Sequence, residues 1–103
     1  MGVLDGTVAL VTGASSGIGD ATARELASHG AAVALVARRK DRLDALAAEL
    51  RDAGGTALVI EADVGKREQA EAAVRQTVDE LGRLDTLINN AGVMLLGPVE
   101  GAP

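Results

Sequence analysis

The chain carries near its amino terminus the stretch Thr12-Gly13-Ala14-Ser15-Ser16-Gly17-Ile18-Gly19. An apolar, β-branched run at 7–12 precedes it, and a segment with helical periodicity at 20–27 follows it. Glycine permits a sharp turn after the strand, close approach of a ligand to bare backbone, and tight packing of the helix. The free N–H groups and the positive dipole end of such a helix hold anions. The stretch therefore predicts a phosphate-binding loop, with an ordinary glycine-rich turn as the alternative.

The composition limits the class of protein. The chain has 103 residues, which is one domain at most, and 48% of them are apolar although none is Phe, Tyr or Trp. A net charge of −5 argues against a nucleic-acid partner. The absence of cysteine excludes disulfides and thiolate metal sites, and we predict no metal site. No apolar run reaches membrane-spanning length, so we expect a soluble, cytoplasmic protein with no membrane partner.

Short apolar runs alternate with helical patterns along the whole chain. The predicted strands are 7–12, 32–37, 56–61 and 85–89, the predicted helices are 17–29, 41–53 and 66–81, and residues 90–103 are unassigned. Apolar strands alternating with helices predict a parallel sheet with right-handed crossovers. With the glycine loop after strand 1, the expected fold is α/β: a Rossmann-type doubly wound sheet of four strands in the order 3-2-1-4 with three helices. Ligands of such sheets bind at the carboxyl ends of the strands, at the switch between strands 1 and 4.

Three motifs resemble those of short-chain dehydrogenases/reductases of the classical type. They are the T-G-x-x-x-G-x-G pattern of 12–19, Ala62-Asp63-Val64 after strand 3, and Asn89-Asn90-Ala91-Gly92 after strand 4. The resemblance runs from Val3 to about Val99. It implies that residues 1–103 are the N-terminal part of a dinucleotide-binding Rossmann domain. It also implies that the parent protein transfers a hydride between nicotinamide and a carbonyl or alcohol substrate.

The same resemblance implies roles for individual residues. Asp63 would accept a hydrogen bond from the adenine amino group, and the Val64 side chain would pack on the ring. Asn90 would tie strand 4 to its neighbours, while Ala91 and Gly92 would lie along the ribose. The alternatives are a helix-entry aspartate at 63 and an ordinary turn glycine at 92. The predicted cofactor-binding residues are Gly13, Ser15, Ser16, Gly17, Ile18, Gly19, Arg38, Arg39, Asp63, Val64, Asn90, Ala91 and Gly92.

The end of strand 2 indicates which dinucleotide is bound. An acidic residue about 20 residues after the glycine motif binds the ribose hydroxyls of NAD. Ala37 occupies that position here, and the pair Arg38-Arg39 follows it. Guanidinium groups bind a 2′-phosphate, so we expect NADP(H), with NAD(H) as the alternative. Lys40 and Arg42 are interpreted as a solvated helix start, and Ser16 stands where many NADP-binding relatives have a basic residue.

The catalytic group that the resemblance implies is missing from the sequence. It consists of a serine after strand 5 and Tyr-x-x-x-Lys, and this chain has no tyrosine and only two lysines, Lys40 and Lys66. We therefore predict no catalytic residue here and no activity for this chain alone. The chain is interpreted as the cofactor half of an oxidoreductase, as a fragment or a truncated product. The alternatives are a non-catalytic nucleotide-binding module and a minimal or engineered α/β scaffold; the substrate cannot be inferred.

Strand 4 is expected to be an edge of the sheet, with backbone groups open to pairing. The predicted helices 17–29 and 41–53 are expected on one face of the sheet and the helix 66–81 alone on the other. An apolar patch built from alternate residues of strands 1 and 4 should then remain exposed, partly covered by 93–96 or by the same segment of a neighbouring chain. The sequence thus predicts a homo-oligomer.

Overall fold

A computed structural model describes residues 2–94 and contains seven alternating elements. They are β1 (Val8–Thr12), α1 (Gly17–Ser28), β2 (Ala32–Ala37), α2 (Asp41–Asp52), β3 (Ala57–Glu61), α3 (Arg67–Leu81) and β4 (Thr86–Asn89). Each predicted element is confirmed, and each observed end lies within one residue of the predicted end. The segment 93–96 is predicted to cover part of the apolar patch, but residues 95 and 96 of it lie outside the described residues.

The four strands form one parallel sheet in the order β3-β2-β1-β4, as predicted. The last residue of β1, Thr12, is in register with Val36 of β2 and with Asn89 of β4. Because all strands run the same way, the loops that follow them meet at one edge of the sheet. This confirms the Rossmann-type arrangement and brings the motifs at 12–19 and 89–92 together.

The helices cover the sheet unevenly. Helices α1 and α2 pack on the face formed by side chains such as Val11 and Leu35. Helix α3 packs on the opposite face, where Leu10 and Val36 contact Ala70 and its neighbours. Side chains on successive strand residues point to opposite faces, so the nearly continuous apolar strands are buried from both sides. The prediction of two helices on one face and one on the other is confirmed.

The prediction of an exposed apolar patch on β1 and β4 is wrong for β1. Val8 is 3% exposed and Leu10 is fully buried, because α3 packs over β1 as well as over β2. The residual apolar surface on this side comes from Leu87 of β4, 39% exposed, and Val78 of α3, 41% exposed. We call these two residues, together with Val74, Leu81 and Leu84, which are partly buried against the core on this side of the sheet, the α3–β4 strip.

Asp85 connects the start of β4 to the start of β1. The Val8 N–H donates to Asp85 Oδ2 at 2.8 Å, and the Asp85 N–H donates to the Val8 carbonyl at 2.9 Å. Arg83 donates from two guanidinium nitrogens to Asp85 Oδ1, at 3.0 and 2.6 Å. The hydrogen bonds from Arg83 and then from Val8 hold the pKa of Asp85 below its usual value. An ionised Asp85 therefore stabilises the attachment of the outer strand.

Candidate cofactor-binding site

The carboxyl ends of the strands open into a cleft of about 1120 Å³. Loops that follow all four strands contribute to its walls. Among the predicted site residues, those that line the cleft are Gly13, Ser15, Arg38, Arg39, Asp63, Val64, Ala91 and Gly92. The remaining lining residues are Val36, Ala37, Asp41, Arg42, Ala62, Gly65 and Val93. The cleft thus gathers parts of all the motifs that the sequence singled out.

The glycine loop has the backbone geometry that its sequence predicts. Gly13 has a φ of 61°, and a Cβ there would lie 3.0 Å from the Asn90 carbonyl oxygen. Ser16 is the N-cap of α1: its hydroxyl accepts from the Gly19 N–H at 3.2 Å and donates to the Gly13 carbonyl at 2.8 Å. A Cβ on Gly19 would overlap the Gly13 carbonyl oxygen, whereas one on Gly17 would meet nothing within 4 Å. The loop therefore has no room for a side chain at Gly19, whereas the space beside Gly17 is open.

Four predicted residues lie on the cap and first turn of α1 and not in the cleft wall. They are Ser16, Gly17, Ile18 and Gly19. Ile18 is 73% exposed, which is unusual for a large aliphatic side chain in a chain with so few exposed ones. This turn follows directly after Ser15, which lines the cleft.

The Thr12 hydroxyl was not among the predicted site groups, yet it joins the two loops on either side of the cleft. It donates to Asn89 Oδ1 at 2.7 Å and accepts from the Asn90 N–H at 3.0 Å. Thr12 is fully buried. The signal in the sequence was a hydroxyl at the last position of an otherwise apolar central strand.

The turn after β4 is organised by Asn89. Its Oδ1 also accepts from the Ala91 N–H at 3.1 Å, and its Nδ2 donates to the Gly92 carbonyl at 3.3 Å. Asn90 contributes its backbone N–H, while its own Nδ2 is buried with no hydrogen-bond partner among residues 2–94. Asn90 does not line the cleft; its backbone N–H bonds the end of β4 to Thr12 of β1, and Asn89 supplies the side-chain hydrogen bonds of the turn.

The loop after β3 contributes Asp63 to the cleft, and one oxygen of its carboxylate makes no hydrogen bond within residues 2–94. Asp63 Oδ1 accepts from the Gly65 N–H at 3.0 Å, and the Asp63 carbonyl accepts from the Lys66 N–H at 3.0 Å. Its N–H donates to Gln69 Oε1 at 2.7 Å, an interaction that sequence reasoning missed. Within the described part of the chain, Oδ2 has no hydrogen-bond partner. Val64 lines the cleft but is 4% exposed, so most of its side chain belongs to the core under α3 and little faces a ligand.

The loop after β2 and the first turn of α2 together bring three arginines to the cleft. Arg38 and Arg39 were predicted there, but Arg42 was interpreted as part of a solvated helix start. Arg39 pairs with Asp41 at 3.8 Å, whereas Arg38 and Arg42 form no ion pair within residues 2–94. Arg42 is on the first turn of α2, where the helix dipole disfavours a cation in the absence of an anion.

Two negative findings apply to residues 2–94. None of their helices combines the length and the apolar character needed to cross a membrane. No group of three or more acidic or histidine side chains in this range is arranged to hold a metal ion. The polar side chains that line the cleft are Ser15, the three arginines, and the two aspartates Asp41 and Asp63.

The fold and the cleft define a nucleotide-binding domain of the Rossmann type. The sequence model of the short chain dehydrogenase family matches residues 7–102, and the chain belongs to that family. A short chain dehydrogenase of Pseudocercospora fijiensis is 44% identical over 102 residues, which are 99% of this chain and 33% of the relative. This chain thus spans about a third of that relative's length.

Two solved structures extend the comparison to bound cofactors. A blue fluorescent protein from a metagenomic library, in complex with NADPH, superposes with a TM-score of 0.83 at 42% identity, covering 97% of this chain and 42% of that one. A short chain dehydrogenase/reductase from Burkholderia phymatum, in complex with NAD, gives a TM-score of 0.79 at 32% identity, covering 84% and 31%. Relatives with this fold therefore bind either nicotinamide dinucleotide.

Proposed function

We propose that this chain is the cofactor-binding part of an NADP(H)-dependent oxidoreductase that acts on a carbonyl or alcohol substrate. The observation that carries the proposal is the cleft, in which the glycine loop, Asp63 and the Ala91-Gly92 turn meet. The family match supports the oxidoreductase class. The choice of NADP(H) over NAD(H) rests on the arginines after β2.

The glycine loop fits a pyrophosphate. The space above Gly17 is open, so an anion can approach the backbone there, and Gly13 turns the chain out of its path. The N–H groups of the first turn of α1 and the positive end of its dipole would hold the phosphate oxygens. Ser16 caps the helix and keeps those N–H groups aligned.

The wall after β2 fits a 2′-phosphate. Ala37 brings no carboxylate to repel it, and Arg38 and Arg42 form no ion pair within residues 2–94. The carboxylate of Asp41 also lines the cleft, but it pairs with Arg39. Guanidinium groups pair with phosphate oxygens in a bidentate manner. A bound phosphate would also offset the unfavourable position of Arg42 at the start of α2. On the neighbouring wall, Asp63 Oδ2 is available to accept from the exocyclic amine of adenine.

When bound, the cofactor would supply the hydride to a carbonyl substrate or accept it from an alcohol. The chain's own residues would bind and orient it, but none provides a proton donor of the tyrosine type, because the sequence contains no tyrosine. The acid–base step of the proposed reaction therefore belongs to a part of the protein outside this chain. We infer that these 103 residues alone bind cofactor without turnover.

Titration calorimetry with NADPH and NADH tests the cofactor preference. We expect the wild type to bind NADPH more tightly, Arg38→Asp to reverse the preference, and Arg42→Ala to weaken NADPH but not NADH. Lys40→Ala is the matched control, because Lys40 is the neighbouring cation that does not line the cleft. Tighter binding of NADH by the wild type, or an unchanged preference in Arg38→Asp, would refute the specificity.

The competing functions give different results in the same titration. A minimal α/β scaffold would bind neither dinucleotide. A non-catalytic nucleotide-binding module and the proposed oxidoreductase would both bind, and they differ in whether the open reading frame continues into a serine and a Tyr-x-x-x-Lys segment. Following NADPH absorbance over a panel of carbonyl compounds tests the inactivity of this chain. Stoichiometric turnover by the purified chain would show that a proton donor has been overlooked.

The proposal includes self-association through the α3–β4 strip. Leu87 and Val78 leave apolar surface there, and β4 is an outer strand of the sheet within residues 2–94. A second copy could bury the strip and pair with the open edge of β4.

A further inference from the structure

Gln69 makes a hydrogen bond that helix capping does not explain. It lies on the first turn of α3, three residues after the N-cap Lys66, where glutamine commonly accepts the N–H of the N-cap itself. Here the Lys66 N–H donates to the Asp63 carbonyl instead. The Gln69 side chain reaches further back, and its Oε1 accepts the Asp63 N–H at 2.7 Å. The bond therefore acts on the aspartate of the cleft and not on the cap.

Asp63 is held at nearly every polar atom. The Asp63 N–H donates to Gln69 Oε1, and the Asp63 carbonyl accepts from the Lys66 N–H. Asp63 Oδ1 accepts from the Gly65 N–H at 3.0 Å. The preceding residue is anchored to β2, because the Ala62 N–H donates to the Ala37 carbonyl at 2.9 Å. Of these restraints, the one from Gln69 is the only one supplied by another residue's side chain. Oδ2 has no hydrogen-bond partner in the described part of the chain, and Asp63 lines the cleft.

We propose that Gln69 is a positioning residue for adenine recognition. It holds the Asp63 backbone so that Oδ2 points at the exocyclic amine of the adenine ring. Gln69 does not line the cleft, so it acts through Asp63 and not by contact with the cofactor. This inference rests on the proposed function, since it assigns a role within the adenine end of the same site.

A role in recognition can be separated from a role in stability. If Gln69 only helped α3 to begin, its loss would weaken every dinucleotide alike. If it positions Asp63, its loss must weaken binding only where an exocyclic amine is present. The deamino form of NADPH, in which hypoxanthine replaces adenine, carries a carbonyl in place of that amine and reports the difference. Both Gln69 and the control residue Gln76 are exposed on α3, so truncating either leaves the core intact.

Titration calorimetry with NADPH and deamino-NADPH tests the proposal on the wild type and four variants. We expect the wild type to prefer NADPH by about tenfold or more, as for a hydrogen bond to a charged acceptor. Gln69→Ala should reduce the preference to about threefold or less, with affinity for the deamino form within about twofold of the wild type. Gln69→Glu keeps an acceptor oxygen and should retain most of the preference. Asp63→Ala should abolish it, and Gln76→Ala, which loses only a bond to Glu80, should not change it.

Three outcomes would overturn the inference. An unchanged preference in Gln69→Ala, or an equal loss for both ligands, would reduce Gln69 to a structural residue. A wild type that binds NADPH but does not discriminate the deamino form would remove the role of Asp63 while leaving the cofactor proposal intact. A wild type that binds neither dinucleotide would refute the proposed function itself, and this inference with it.

Discussion

The hydroxyl of Thr12 accepts the backbone N–H of Asn90 at 3.0 Å, across the two strands that flank the cleft. The same hydroxyl donates to Asn89 Oδ1, so one buried oxygen at the end of β1, next to the glycine loop, is bonded twice to the turn after β4. The interaction links residues 78 positions apart in the chain. Its position at the switch between β1 and β4 makes it the mechanical connection between the phosphate side and the ribose side of the proposed site.

We expect Thr12→Val to lower stability and cofactor affinity together. Valine keeps the shape but removes the hydroxyl, which leaves the Asn90 N–H and Asn89 Oδ1 without this partner. The free energy of unfolding should fall by about 1–3 kcal/mol. Urea denaturation measures it, with Thr77→Val as control, because the buried Thr77 hydroxyl only donates to the Ala73 carbonyl within α3. Equal effects of the two substitutions would contradict the linking role of Thr12.

Substitution by alanine should affect the stability of the chain differently at Gly17 and at Gly19. A Cβ on Gly19 overlaps the Gly13 carbonyl oxygen, a backbone atom that cannot move without distorting the loop. We expect Gly19→Ala to lower the free energy of unfolding by about 1–3 kcal/mol or more. A Cβ on Gly17 meets nothing, so Gly17→Ala should keep the stability of the wild type, since alanine is the better helix former.

The cofactor titration then separates the two glycines by function. Gly17→Ala should be folded by circular dichroism yet bind NADPH at least about tenfold more weakly, because its methyl group occupies the space proposed for the phosphate. Full NADPH affinity in Gly17→Ala would place the phosphate elsewhere. A Gly19→Ala variant as stable as the wild type would mean that the loop is looser than its contacts indicate.

The stability of the chain should depend on the ionisation of Asp85 at low pH. Its pKa in the folded chain lies below the usual value of about 3.9, chiefly through the Arg83 hydrogen bonds. Because the folded value is depressed, the ionised form contributes stability that is fully present above about pH 5. That contribution falls as the pH drops through the unfolded and then the folded pKa.

Thermal unfolding from pH 7 to pH 2 checks this dependence. Asp85→Asn should lower the melting temperature at pH 7, and its difference from the wild type should shrink as the pH falls. Asp52→Asn is the control, since the Asp52 carboxylate makes no hydrogen bond or ion pair in the described residues. A difference between wild type and Asp85→Asn that stays constant over the whole range would show that Asp85 contributes nothing through its charge.

Self-association should depend on Leu87. We expect the wild type to associate at micromolar concentration and Leu87→Lys to shift the equilibrium toward monomer, because a lysine on an outer strand opposes edge pairing. Sedimentation velocity over a concentration series measures this. Val3→Lys is the matched control: Val3 is 86% exposed and lies outside the α3–β4 strip. A wild type that is monomeric at every concentration would contradict the proposal, as would equal association of the two lysine variants.

The elements and their order could be predicted from local patterns. The apolar run 32–37 is too short for a buried helix, and glycines follow the helical segments, so β2 and the helix ends were within one residue of the observed bounds. The order of the strands followed from the alternation and the glycine loop together. The left-handed backbone conformation of Gly13 was predictable because a positive φ is a local property of one residue.

The side-chain interactions of the site were decided only by the tertiary structure. Thr12 meets Asn89 and Asn90 because β1 and β4 pair in one particular register, and no local pattern specifies the register of two strands separated by five other elements. Arg42 lines the cleft, and Val8 and Leu10 are buried, because of how α2 and α3 pack on the sheet. Periodicity shows which face of a helix is apolar, but the position of that helix over the strands results from the packing of all the side chains between them.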